Sequence, residues 1–182
     1  MGESEGVHFD KLLRLISVYR QEAQKCRESK AFLAGCVMIG AALEAMLLAF
    51  ARCHQKEALS AEKAPRKDGR VKSLRNWSLR DLLAVADELG WLPSGLSPRD
   101  EWDEARAEIG DYAELVRRIR NFVHPACYAS ELSGEQITDR HWEFCFEILR
   151  TASDDLLAKL RGSIREELKA RGAGGSHTLK DV

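Results

Sequence analysis

Apolar residues recur at intervals of three and four along nearly the whole chain, the spacing of helices with one buried face. No run alternates apolar and polar long enough to predict a strand. The first predicted helix covers residues 9–28, with Leu12, Leu13, Ile16 and Tyr19 on its inner face. The second covers residues 31–55 and is apolar all round. Ala34, Gly35, Ala41, Ala42 and Ala45 keep its surface small enough for neighbouring helices to approach closely. Residues 60–76 break the pattern. Ser78, followed three positions later by Asp81, then reads as an N-cap. The helix it opens carries Leu79, Leu82, Leu83 and Ala86 and stops at Gly90, a C-cap residue. Trp91 and Leu92 fold back onto the core before Pro93 and Pro98 interrupt the chain. A fourth helix is predicted over residues 100–123, with Ile109, Tyr112, Val116, Ile119 and Val123 as its core stripe. Pro125 forces a change of direction, because it disfavours helical geometry at His124 and lacks an amide donor. A polar turn follows. Thr138 or Asp139 opens the last long helix, which carries Trp142, Cys145, Ile148, Leu149 and Leu156 to about residue 170. The predicted fold is an all-α bundle of four to five helices in a single domain over residues 1–170, with a disordered tail at 171–182.

The 182 residues balance 28 Lys and Arg against 29 Asp and Glu, for a formal charge of -1. The chain as a whole is therefore not a polybasic nucleic-acid binder, and any such site must be a local patch. One candidate is the basic loop at 60–76, which holds Lys63, Arg66, Lys67, Arg70, Lys72 and Arg75. It reads either as a solvated mobile loop or as an arm that attracts phosphate, with Lys63, Arg66, Lys67 and Arg70 as the nucleic-acid-binding residues. Residues 31–51 match a bilayer span in length but carry Glu44, whose insertion costs ~2.5–3.5 kcal/mol near mid-span. Their Ala and Gly content fits the centre of a soluble bundle better. Cys26, Cys36, Cys53, Cys127 and Cys145 are odd in number and form no CxxC pair, which argues against disulfides and a zinc site. Residues 1–8 lack the order of a secretory signal, so a cytoplasmic protein without a membrane partner is expected.

Most of the chemistry lies in Leu115-Val-Arg-Arg-Ile-Arg-Asn-Phe-Val-His-Pro125. Arg117, Arg120, Asn121 and His124 share one helical face, apart from the core stripe. Arginine offers a fixed charge and forked donors that suit phosphate. Histidine is the side chain most easily poised for proton transfer near neutral pH. The set suits metal-independent RNA cleavage, with His124 as general base or acid and an arginine stabilising the phosphoryl oxygens. The plainer alternative is a surface cluster that pairs with Asp103, Glu104 and Glu114, with His124 at a helix terminus. Glu44 needs a partner in its apolar surroundings. It reads either as a structural ion pair with one of these arginines or as a residue that orients His124 or Arg120. His54, His141, His8 and His177 lack the companions of a metal site, and no Gly-rich phosphate loop, HExxH or GxSxG element is present. Trp77, Trp91, Trp102 and Trp142 read as packing anchors rather than base-stacking platforms.

Arg-Asn-Phe-Val-His-Pro at the end of a bundle helix resembles the signature of the HEPN superfamily. The resemblance is widest from residue 31 to about residue 160. Gly40-Ala-Ala-Leu-Glu44 looks like the family's second helix. Ser78-Leu-Arg-Asp-Leu-Leu, with Gly90-Trp-Leu after it, looks like a later short helix of HEPN-like proteins. The resemblance implies a four- to five-helix bundle, usually a homodimer. In active members two Arg/His sets meet across the dimer in a metal-independent ribonuclease site with no cofactor. Such members serve toxin–antitoxin, phage-defence or RNA-processing systems, where RNA and an antitoxin or other protein are the expected partners. Others are inactive binding modules. The family pattern places four to six residues between Arg and His, with a polar residue after the Arg. Arg120-Asn121 supplies the dipeptide but leaves three residues before His124. Arg118 leaves five and is followed by Ile119; Arg117 leaves six and is followed by Arg118. Arg120, Asn121 and His124 are therefore the first candidates, with Arg117 and Arg118 as alternates. A non-catalytic helical interaction module and a nucleotide-binding accessory protein are the rival functions.

Overall fold

The computed structural model describes residues 3–92, 116–117, 120–121, 124–131 and 136–173. They form an all-α bundle with one small hairpin, ordered α1 (Glu3–Glu28), α2 (Phe32–Cys53), α3 (Gln55–Ser60), β1 (Arg66–Lys67), β2 (Arg70–Val71), a 3-10 turn (Leu74–Asn76), α4 (Leu79–Glu88), α5 (Pro125–Glu131) and α6 (Asp139–Ala173).

The apolar α2 is the hub of the bundle. α1, α4, α6, α3 and the 3-10 turn all pack on it. Ile39, Leu43 and Leu47 are fully buried on α2, and Gly35, Cys36 and Ala42 are buried beside them. That burial explains how a helix long and apolar enough to cross a bilayer serves as the centre of this bundle.

α1 is longer than expected, because residues 3–8 are helical too. It ends at Glu28, and Lys30 two residues on takes a left-handed φ of 59°. The amides of Lys30 and Ala31 donate back to the carbonyls of Arg27 and Cys26, which closes the helix and reverses the chain into α2.

The deepest knot joins α1, α2 and α6. Trp142 of α6 lies against Gly35, where a Cβ would come within 2.5 Å of the indole. Its Nε1 donates to the Ala23 carbonyl of α1 at 3.0 Å. The Phe146 ring stacks on the indole with centroids 4.8 Å apart, and the Arg27 guanidinium sits 4.6 Å from the ring centre on a cation–π contact. Arg27 also pairs with Asp139 at 2.7 Å and with Glu143, tying the end of α1 to the start of α6. The guanidinium holds the Asp139 carboxyl below its ordinary pKa.

Several ends follow the expected capping chemistry. Ser78 and Asp81 form a reciprocal capping box on α4. At the other end Gly90, with φ of 60°, lets its own amide reach Asp87 and that of Trp91 reach Ala86. Thr138 contacts His141 Nδ1 through both its amide, at 3.1 Å, and its hydroxyl, at 2.9 Å. His141 is thus a capping partner at the start of α6.

Four expectations need correction. The second helix does not run through residue 55: it stops at Cys53, and α3 restarts after His54. Residues 60–76 are not a plain loop, since the end of α3, a hairpin and a 3-10 turn occupy them. Pro125 begins a helix instead of a polar turn. An amide-free residue with fixed φ fits the first position of a helix, whose donor would have no intrahelical acceptor. α6 continues through residue 173, so the first three residues of the expected tail are helical. Of the predicted fourth helix, Val116 is described and fully buried, as the core stripe requires. Ile109, Tyr112, Ile119 and Val123 lie outside the described residues, as does the tail from 174 onward.

Candidate functional site

The middle of α2 carries a cradle for one arginine. Gly40 and Glu44 are one helical turn apart and so share a face. A Cβ built on Gly40 would come within 2.8 Å of the Arg120 Cβ and 2.9 Å of its Cδ. The absence of a side chain at Gly40 is what lets the arginine stem lie on the α2 backbone. One turn along, Glu44 Oε2 receives the Arg120 Nη2 at 2.7 Å. Both side chains remain partly open to solvent, at 35% for Arg120 and 26% for Glu44. The pair is therefore a half-exposed clamp with solvent-screened strength, about 0.2–1 kcal/mol by analogy with exposed pairs. Its value is geometric: it fixes the stem and one edge of the guanidinium and leaves further donors of the five-donor fork available.

Arg120 keeps its head partly open to solvent while its stem packs on α2 at Gly40. The reading of Glu44 as the ion-pair partner of a motif arginine fits the observed contact. The sequence signal for the role of Gly40 is its spacing of four from Glu44.

Asn121 follows on the same helical stretch and is partly buried. The His124 amide donates to the Asn121 carbonyl at 2.9 Å, and His124 is exposed at the bend before Pro125. Arg117 is partly buried and makes contacts of its own. Arg118, Asp103, Glu104 and Glu114 lie outside the described residues. The structure therefore brings Arg120 and Glu44 together and places Asn121 and His124 just beyond them at a helix end. A positively charged fork and an exposed imidazole at one helix end can bind an anionic group and exchange a proton beside it.

The other candidates separate. Lys63 is tied down: its Nζ reaches Asp87 at 2.5 Å, which raises the ammonium pKa, and its amide reaches a Glu88 carboxylate oxygen at 2.7 Å. Arg66, Lys67 and Arg70 are exposed on the hairpin. His54 packs on the Phe50 ring at 4.5 Å, with Nδ1 3.6 Å from Glu57. Trp77, Trp91 and Trp142 are buried packing anchors. Cys26, Cys36, Cys53 and Cys145 are free thiols. Cys36 and Cys145 touch in the core, and that contact together with burial pushes the Cys145 thiol well up. No group of three His, Cys, Asp or Glu able to hold a metal occurs among the described residues. A cleft lined by Phe9, Leu13, Ile16, Met46, Phe50 and Leu156 is apolar and offers no reactive group beyond Ser153.

No family model, curated protein or solved structure matches this chain.

Proposed function

We propose that this chain is an HEPN-like domain that acts on RNA as a metal-independent endoribonuclease. The observation that supports it is the clamp: Gly40 and Glu44 hold Arg120 one turn before the exposed His124. In this reading the 2′-hydroxyl attacks the adjacent phosphorus, and the bond to the 5′-oxygen breaks. The products are a 2′,3′-cyclic phosphate and a 5′-hydroxyl. His124 takes the proton from the 2′-oxygen or gives one to the leaving oxygen, a role worth roughly 10²–10⁴ in rate. Arg120 and Asn121 donate to the phosphoryl oxygens, where charge builds in the transition state. One imidazole supplies one of the two proton transfers, which is why the reading includes a homodimer with a second His124. Partners of the toxin–antitoxin or phage-defence kind belong to the same proposal.

The test is incubation of the purified protein with mixed RNA in EDTA, beside His124→Ala. Wild type cleaves and leaves cyclic phosphate ends, and His124→Ala falls by at least about a hundredfold. Equal cleavage by both proteins rejects the reading. The ion pair also favours a second reading, an interaction module in which Arg120 is purely structural. That reading predicts no cleavage by wild type and a loss of stability in Arg120→Ala.

A further inference from the structure

We infer that the β1–β2 hairpin is a preformed arm that binds the phosphate backbone of single-stranded RNA through Arg66, Lys67 and Arg70. The hairpin is built to be rigid. Asp68 and Gly69 take φ of 52° and 76°, the paired left-handed conformations of a two-residue turn that matches strand twist. Arg66 pairs with Val71 and Lys67 with Arg70 across the ladder. At the root, the Lys72 amide donates to the Pro65 carbonyl at 2.8 Å, and Trp77 Nε1 donates to the Lys72 carbonyl at 2.9 Å. Glu88 accepts from the amides of Glu62 and Lys63, at 2.6 and 2.7 Å, and fixes the approach to the hairpin.

The charges on this arm run against its own stability. Lys67 and Arg70 stand directly opposite each other, and like charges in that position destabilise a strand pair. Among the described residues, no carboxylate forms a salt bridge with Arg66, Lys67 or Arg70. Between Arg66 and Arg75 there are five cations and one carboxylate, Asp68, in a chain whose formal charge is -1. Lys63 shows the contrast, because Asp87 and Glu88 neutralise it. A basic tip held by a paired hairpin, with no salt bridge to a carboxylate among the described residues, has the electrostatics of a polyanion site.

The chemistry favours a nucleic acid over a membrane. Val71 is partly buried against the core, so the tip carries no exposed apolar side chain to enter a bilayer. Trp77 at the root is buried, so it offers no aromatic face for base stacking. The arm therefore reads phosphate and not base, and its binding is sequence-independent and strongly salt-dependent. The choice of RNA rests on the function proposed above. The arm adds capture to that reading.

The test is fluorescence anisotropy with labelled single-stranded polyuridylate in EDTA across a salt series. His124→Ala serves as the parent so that the probe survives. Changing Arg66, Lys67 and Arg70 to Gln lowers the slope of log affinity against log salt by about 2, at about 0.7 for each phosphate no longer neutralised. Changing three exposed cations elsewhere, Lys11, Arg14 and Arg161, leaves the slope in place. The melting temperature of the hairpin variant stays level or rises, since a repulsive pair has been removed. An unchanged slope in the hairpin variant overturns the inference. So does a parent that ignores RNA, or one that binds phosphatidylserine vesicles instead. Salt-dependent binding without cleavage by wild type leaves the arm standing and removes only the catalytic reading.

Discussion

Two glycines on α2 use the same physical device for different ends. Gly35 and Gly40 both lack the Cβ that would stop a neighbour, and each receives a long side chain against the helix backbone. At Gly35 the guest is Trp142, which is buried, hydrogen-bonded to Ala23 and stacked on Phe146. At Gly40 the guest is Arg120, whose head meets Glu44 and stays one-third open to solvent. The first site locks three helices together. The second holds a charge still within reach of a ligand. A close approach between helices therefore reveals little about role until the guest and its exposure are known.

Substitutions at the two sites sharpen that contrast. Trp142→Ala carries the largest expected effect, a loss of about 3–5 kcal/mol by denaturant unfolding. Gly35→Ala follows. Overpacking against the fixed indole costs about 1–3 kcal/mol, against which better helix propensity returns up to about 1. A stabilised Gly35→Ala protein would mean that the indole can move, and the knot would lose its meaning.

Gly40→Ala is expected to affect the site more than the fold. The new Cβ meets the Arg120 Cβ, which no rotamer change can withdraw, so the arginine segment must lift off α2. Its stability loss is smaller than that of Gly35→Ala, while RNA cleavage falls by about tenfold or more, equivalent to about 1.4 kcal/mol. Equal losses of stability at Gly35 and Gly40, with activity preserved at Gly40, would erase the distinction.

The smallest effect is a pH dependence confined to the locked side. Arg27 holds the Asp139 carboxyl below its unfolded value. The resulting stability is present above the unfolded value and is lost as pH falls through the lowered folded one, hence below about pH 4. Arg27→Gln should flatten the acid limb of a thermal-unfolding profile and leave the neutral region nearly unchanged. An acid limb identical to wild type would rule the pair out as a source of acid sensitivity.

Much of the fold is legible in the sequence because it is written locally. The Ser78/Asp81 cap, the Gly90 stop and the apolar spacing on α6 each lie within one or two helical turns. The hairpin escapes a periodicity reading because two-residue strands have no measurable alternation; its signal is Asp68-Gly69. The helix after Pro125 escapes because proline reads as a stop, when its fixed φ also suits a start. At the site, the pairing of Glu44 with a motif arginine follows from the cost of a lone carboxylate among apolar residues. Which arginine answers it is a tertiary fact, settled where Gly40 opens room for Arg120. The separation of Lys63 from Arg66, Lys67 and Arg70 is tertiary as well, since Asp87 and Glu88 come from α4.

The most direct test of the central claim is the rate of RNA cleavage in EDTA by wild type, Glu44→Gln, Arg120→Ala and the double variant. If Glu44 acts by positioning Arg120 for the chemistry, wild type cleaves and Arg120→Ala is the slower of the two single variants. Adding Glu44→Gln to Arg120→Ala then changes nothing further. Additive losses, or wild-type RNA left intact, would contradict the claim.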